Sequence, residues 1–75
     1  MLELLRTNDV VLISFVETLL SDLKIGHFVA DQNMSVMEGS IGVLPRRVMV
    51  DRERAVEARR ALEDAGIEPD LFSDN

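Results

Sequence analysis

The spacing of hydrophobic and polar positions changes several times along this chain, and it predicts where strands and helices lie. Residues 2–6 alternate, which predicts a first β-strand with Leu2 and Leu4 on one face. Residues 27–31 and 47–51 are short apolar runs between turn-forming residues and predict two further strands. The chain should therefore form a small sheet.

Two helices are predicted between and after these strands. The first covers Val10 to Lys24, where apolar residues recur at the spacing that buries one side of a helix. The second covers Arg52 to Ala65. The expected core face of the first helix consists of Leu12, Phe15, Val16, Leu19 and Leu23. The expected caps are Asn8 and Asp51 at the N-termini and Gly26 and Gly66 after the C-termini.

The resulting order, βαββα, predicts an α+β, two-layer sandwich that is ferredoxin-like or a truncated version of that fold. A three-stranded sheet would carry both helices on one face, with a right-handed connection between the first two strands. We expect one domain over residues 1–72 and a frayed tail at 73–75. Residues 67–72 leave open whether a fourth strand forms, because Pro69 limits the pairing.

The other face of this sheet has no helix to cover it. Leu5, Val29 and Met49 are expected there. The chain has 75 residues and no cysteine, so its core is small and has no disulfide to support it. An uncovered apolar face on such a domain favours self-association, and we expect a homodimer.

The longest connection, residues 31–47, joins the second and third strands and greatly exceeds the usual hairpin loop of about 2–5 residues. Its glycines permit sharp turns, and its methionines suit adaptable apolar contacts. Residues 32–47 are therefore expected to contact a protein partner; the alternative is that their apolar side chains fold back over the core. The candidate binding residues are Asn33, Met34, Met37, Gly39, Gly42, Arg46 and Arg47.

Charge limits the classes of partner. The net charge is −6, which argues against nucleic-acid binding. Residues 46–60 nevertheless contain six arginines, and Arg52 and Arg54 would face the positive end of the second helix. An anion bound there would relieve this conflict, as would the neighbouring carboxylates of Asp51 and Glu53. An alternative function is therefore a sensor of a small anionic metabolite near the loop and the second helix.

Catalytic and metal chemistry have little support in the sequence. The chain has no cysteine or tyrosine, and its single histidine, His27, has no neighbouring nucleophile or set of metal ligands. We expect no enzyme activity, no metal and no cofactor. The start of the chain does not have the pattern of a signal peptide, and no apolar run is long enough to span a membrane, so we expect a cytoplasmic protein.

Several motifs resemble a bacterial family of small domains of unknown function, described as putative prokaryotic signal transducing proteins. The motifs that carry this resemblance are Thr7-Asn8, Leu23-Lys24-Ile25-Gly26, Asp31-Gln32-Asn33-Met34-Ser35, the glycines Gly39 and Gly42, Leu44-Pro45-Arg46-Arg47-Val48, and Ala58-Arg59-Arg60-Ala61-Leu62. The resemblance implies a ferredoxin-like fold, distantly similar to that of nitrogen-regulatory signalling proteins, whose functional loop also follows the second strand. The nucleotide-binding motif of that group is not recognisable here, and similarity of fold alone transfers no ligand.

Overall fold

The computed structural model describes residues 1–30, 45–68 and 71–73. The elements are β1 (Leu2–Thr7), α1 (Val10–Asp22), β2 (His27–Ala30), β3 (Arg46–Val50), a 3₁₀ turn (Arg52–Arg54) and α2 (Ala55–Asp64). The predicted α+β class and the βαββα order are confirmed.

The described strands form one sheet in the order β1-β3-β2, in which β3 is antiparallel to both neighbours. Both helices contribute to the same core as the inward side chains of β3, so they cover the same face of the sheet. Beyond β1, Phe72 forms a single bridge with Leu5, and the Ser73 amide donates to the Leu4 carbonyl at 2.9 Å. These contacts occupy the place of a fourth strand, so the fold is a truncated ferredoxin-like sandwich.

An irregularity in β1 changes which leucines reach the core. Glu3 lies opposite Met49, but the next paired residue is Leu5, opposite Val48, so Leu4 is an extra residue in a bulge. Leu5 therefore shares the core side with Val48, and its side chain is 0% exposed. The expectation that Leu5 lies on the uncovered face is wrong, because simple alternation does not continue across a bulge.

Val29 is also on the core side, since it lies opposite Val48 and packs against the core cluster. Its expected position on the uncovered face is wrong as well. Met49 does lie on the uncovered face, opposite Phe28 on one side and Glu3 on the other. The uncovered face is therefore less aliphatic than the sequence predicts.

The first helix is rotated relative to the expected core face. Its buried residues are Ile13, Val16 and Leu20, whereas Phe15 is 46% exposed. The N-cap is Asp9 rather than Asn8, because an Asp9 oxygen accepts from the amides of Val11 at 3.0 Å and Leu12 at 3.2 Å. One side of the apolar arc of α1 thus remains in contact with solvent.

The C-terminus of α1 does not use its glycine as expected. Lys24 adopts the left-handed conformation, with φ of 59°, and the Ile25 amide donates to the Leu20 carbonyl at 2.9 Å. This is the Schellman arrangement. Gly26 has a different purpose: a Cβ at that position would collide with the carboxylate of Asp51. At the end of α2, Gly66 has a φ of 93° and closes that helix as predicted.

The second helix begins later than predicted, after the 3₁₀ turn, and Asp51 makes no side-chain capping bond. The buried residues of α2 are Ala58 and Leu62. No helix in the described part of the chain has the length and apolar character needed to cross a membrane.

Candidate functional site on the open face of the sheet

The side of the sheet that faces away from the helices carries two rows of side chains. In the first row Met49 lies between Phe28 and Glu3, and in the second Arg47 lies between Ala30 and Arg6. We call this surface the open face. It consists of Glu3, Arg6, Phe28, Ala30, Arg47 and Met49.

The first row is apolar on the β2 side. Phe28 is 49% exposed, and Met49, directly opposite it on β3, is partly buried. A phenyl ring that is half in water forgoes roughly half of the 1.5–3 kcal/mol that full burial provides. Aromatic and methionine side chains in this position are typical of contact surfaces, because they supply apolar area with adaptable shape.

The second row is cationic. Arg6 and Arg47 lie opposite each other on β1 and β3. Arg6 Nη2 donates to Glu3 Oε1 at 3.1 Å, so one carboxylate accompanies two guanidinium groups. Among the described residues of the open face, two guanidinium groups and one carboxylate give an excess of positive charge on a chain whose net charge is −6. The open face is suited to an acidic ligand or partner segment.

The carboxylate of Glu3 is fixed in place. The hydroxyl of Ser73 donates to it, and this bond is the main cause that lowers the pKa of Glu3; burial acts in the opposite direction, and Arg6 and Arg47 lower the pKa further. The last described residue therefore helps to hold the open face. Residues 74–75 lie outside the described part of the chain.

The structure describes two of the seven candidate binding residues. Asn33, Met34, Met37, Gly39 and Gly42 lie in residues 31–44, outside the described ranges. Arg46 and Arg47 are neighbours on β3 but point to opposite sides of the sheet. Arg47 belongs to the open face and lies opposite Ala30, the last described residue before the long connection.

Arg46 points to the helix side, opposite Thr7. Each of these two side chains is only 8% exposed, and they are the only polar side chains among the described residues that are buried to this extent. The Nε of Arg46 has no hydrogen-bond partner among the described residues. A buried guanidinium with an unused donor is energetically costly, so this end of β3 is the second place where an anion would be stabilising.

The expected anion site combined Arg46 or Arg47 with the start of the second helix, and the structure separates these groups. Arg46 begins β3 and Arg52 follows its end, so about 20 Å of extended chain lies between them. Arg54 is already engaged: its Nε donates to Glu57 at 2.7 Å, and its Nη atoms donate to the Leu23 and Lys24 carbonyls, both at 3.2 Å.

These contacts resolve the charge conflict that the sequence suggests for Arg54 at the second helix. The Arg54 guanidinium meets the negative C-terminal end of α1, where a cation is favourable. The ion pair lowers the pKa of Glu57 and raises that of Arg54. An anion is not needed there to balance Arg54.

The single histidine has a local partner. His27 Nδ1 lies 2.9 Å from the Ile25 carbonyl oxygen, and Nε2 lies 4.0 Å from a carboxylate oxygen of Glu17. Within residues 1–30, 45–68 and 71–73, no group of three or more potential ligands is placed to hold a metal ion.

Sequence reasoning did not identify Phe28 as a candidate. The run from His27 to Ala30 is apolar at both alternate positions, so its pattern alone does not separate the covered side from the uncovered side. The register with β3 provides that distinction.

Comparison with known proteins identifies one matching family. The family model described as "Putative prokaryotic signal transducing protein" matches residues 1–68, from β1 through the end of α2. A search of curated proteins gives no significant match. Because the family model covers most of the 75 residues, the resemblance seen in the sequence motifs is confirmed, and the chain belongs to the family of putative prokaryotic signal transducing proteins.

Proposed function

We propose that this chain is a non-enzymatic regulatory module of the cytoplasm, which contacts a protein partner through residues 32–47 together with the open face. The observation that carries the proposal is the exposed ring of Phe28 beside Met49 on a sheet face that no described helix covers. The family description, a signal transducing protein, agrees with such a role.

The chemistry of the open face supports a narrower proposal about the kind of partner. Phe28 and Met49 offer apolar contact, and Arg47 and Arg6 next to them attract carboxylates. A partner segment that combines apolar and acidic side chains would match both rows. The candidate residues Asn33, Met34, Met37, Gly39 and Gly42 belong to the connection between β2 and β3 and are proposed to take part in the same contact.

The test is affinity capture of partners from the source cell, with several variants compared side by side. Phe28→Ser and the double variant Met34→Ser/Met37→Ser should lose the captured protein, and Arg47→Ala should weaken its binding in a salt-dependent way. Val56→Ser is the matched control, because Val56 is 75% exposed on α2, away from the open face.

The result is informative only if each variant retains its fold, as judged by circular dichroism. Direct titration of the captured protein with purified variants then gives the affinities. If Phe28→Ser and Met34→Ser/Met37→Ser bind that protein as tightly as the Val56→Ser control does, the proposed surface is wrong.

Binding of a small anionic ligand is a second candidate function, favoured by the buried guanidinium of Arg46. The ligand would lie at the Arg46 end of β3, where Thr7 is the opposing polar residue. Thr7 Oγ1 accepts from the Asp9 amide at 3.1 Å, which leaves its hydroxyl proton available for an anion.

Thermal shift measurements with phosphate, sulfate and small carboxylates test this candidate. A binding anion should raise the Tm of the wild type but not that of Arg46→Met, which keeps much of the buried aliphatic volume and loses the charge. Arg60→Ala, an exposed site on α2, is the control for a general effect of salt. Equal shifts in all three proteins would exclude a specific site at Arg46.

A further inference from the structure

The outer edge of β2 has no pairing strand in the part of the chain that the structure describes. Among the described residues, β2 pairs only with β3, whereas the outer side of β1 is partly covered by Phe72 and Ser73. His27–Ala30 contains no Lys, Arg, Asp, Glu or Pro, and its pairing with β3 has no bulge. Charged residues, proline and bulges are the features that usually prevent one edge strand from pairing with another, and β2 has none of them.

The alternation of backbone hydrogen bonds along β2 shows which N–H and C=O groups are available to a further strand. The Asp51 amide donates to the Gly26 carbonyl at 2.9 Å, which identifies these residues as a hydrogen-bonded pair. In an antiparallel ladder such pairs alternate along the strand, so Phe28 and Ala30 direct their N–H and C=O groups towards β3. His27 and Val29 therefore direct theirs outwards.

Space is available beside this edge on the helix side. An open groove of about 440 Å³ lies between α1 and the start of β2. Its lining consists of Ser14, Glu17, Thr18, Ser21, Asp22 and His27. Several of these side chains are small and polar, so α1 does not obstruct a strand that is added next to β2.

A second copy of β2 fits this edge by symmetry. When two antiparallel copies are centred on Phe28, His27 lies opposite the partner's Val29, and Val29 lies opposite the partner's His27. These two pairs make four backbone hydrogen bonds and use every outward group of both residues. No charged side chain lies on the strand itself, so the pairing brings no like charges of the two strands together.

The same arrangement explains the exposure of Phe28. Phe28 would lie opposite the partner's Phe28 as a pair without direct backbone bonds, where Cα atoms are about 4.5 Å apart and side chains are closest. Both rings would be on the open face, at the twofold axis. Cross-strand aromatic pairs in this position stabilise sheets.

We infer that the chain forms a twofold dimer by antiparallel pairing of β2 with a second copy of itself, which joins two three-stranded sheets into a continuous sheet of six strands. The two open faces would then form one surface, and the long connection of each copy would begin near the twofold axis. This inference is independent of the identity of any protein partner. It locates self-association at the edge of β2 rather than on an aliphatic sheet face.

The first test is sedimentation equilibrium of the full chain from micromolar to millimolar concentration. The wild type should dimerise. Val29→Pro removes an outward N–H and no bond to β3, so it should weaken dimerisation about 10- to 100-fold through the loss of two symmetry-related hydrogen bonds. Val29→Ala is the matched control for the altered side chain and should still dimerise.

A second test does not depend on the tolerance of β2 for proline. The chain contains no cysteine, so Phe28→Cys introduces a single thiol at the proposed axis. Oxidised glutathione should convert this variant into a covalent dimer. Ala30→Cys should stay uncrosslinked, because its two thiols would be offset by about 13 Å along the strands, beyond the Cα separation of about 4–7 Å that a disulfide requires.

Three results would overturn the inference. They are a wild type that stays monomeric at millimolar concentration, a Val29→Pro variant that folds and dimerises like Val29→Ala, and preferential crosslinking of Ala30→Cys. The dimer and the proposed partner are separable, because Arg47→Ala should weaken partner binding and leave the dimer unchanged. Loss of partner capture in that variant with an intact dimer supports both ideas independently.

Discussion

Replacement of Leu5 by alanine tests the bulge in β1 directly. With the bulge, Leu5 lies opposite Val48 on the core side, and both side chains are 0% exposed. Without it, strict alternation would place Leu5 on the open face. The two arrangements differ in how many neighbours lose contact when the leucine side chain is shortened.

The magnitude follows from complete burial. Leu→Ala in a packed core costs about 2–5 kcal/mol, the sum of lost transfer free energy and a residual cavity. A domain of 75 residues has a free energy of unfolding of only about 4–11 kcal/mol in total. A loss of about 3 kcal/mol should therefore lower the Tm by roughly 12–24 °C. An exposed leucine would change the free energy of unfolding by about 0.5 kcal/mol or less.

Urea denaturation followed by far-UV circular dichroism measures this difference, because the m-value also shows whether unfolding remains cooperative. Phe28→Ala is the control on the open face, where about half of the ring is already exposed, and it should cost about 1 kcal/mol. The reasoning is refuted if Leu5→Ala is no more destabilising than Phe28→Ala.

Three further predictions concern single contacts. Because the pKa of Glu3 is lower in the folded than in the unfolded chain, its carboxylate stabilises the fold above the ordinary pKa of glutamate, and this contribution is lost as the pH falls through the folded value. Glu3→Gln should thus reduce the acid dependence of the urea midpoint, and an unchanged dependence would contradict the Ser73 contact. Gly26→Ala should destabilise the chain through its clash with the Asp51 carboxylate, and a double-mutant cycle with Asp51→Ala should show a coupling of about 0.5–3 kcal/mol rather than additivity. Phe72→Ala should lower the free energy of unfolding by about 3 kcal/mol in urea denaturation, because the ring is buried and its centroid lies 4.9 Å from Cζ of the Arg59 guanidinium. A neutral effect would mean that the segment after residue 68 is dispensable for stability.

The order of elements could be predicted because it depends on local spacing. The strands, the helices and the break at Gly66 all have signals within a few residues of the chain. The bulge at Leu4 has no such signal, since it exists only in the register between β1 and β3. The orientation of Leu5 follows from that long-range pairing, and the orientation of Val29 follows from the separate register between β2 and β3.

The predicted caps of α1 were wrong for a different reason. Asn8 and Asp9 are both good N-cap residues, and the choice between them depends on where β1 ends. At the other end of α1, Gly26 is reserved for close approach to Asp51, so Lys24 adopts the left-handed conformation although glycine would do so at lower cost. Local preference was overridden by tertiary packing in both cases.

The candidate site was predictable only in part. The segment 32–47 is conspicuous by its length, and Arg47, at its end, lies on the open face, whose role in binding stays a proposal. Arg46, which has the same chemistry and the neighbouring position, points into the opposite layer. To assign the two adjacent arginines to different faces, one must know which face of β3 is covered by the helices. The same knowledge of the sheet faces is needed to recognise Phe28 as exposed.

The position of β3 between β1 and β2 also has a consequence for synthesis on the ribosome. In the described sheet β1 and β2 are joined only through β3, so a nascent chain that ends before Arg46 lacks the strand that holds the other two together. Pairing of both outer strands of the described sheet awaits the emergence of a central strand that lies far along the chain, and such nonlocal pairing slows folding. The apolar side of α1 therefore stays accessible to chaperones until more than half of the chain has been translated.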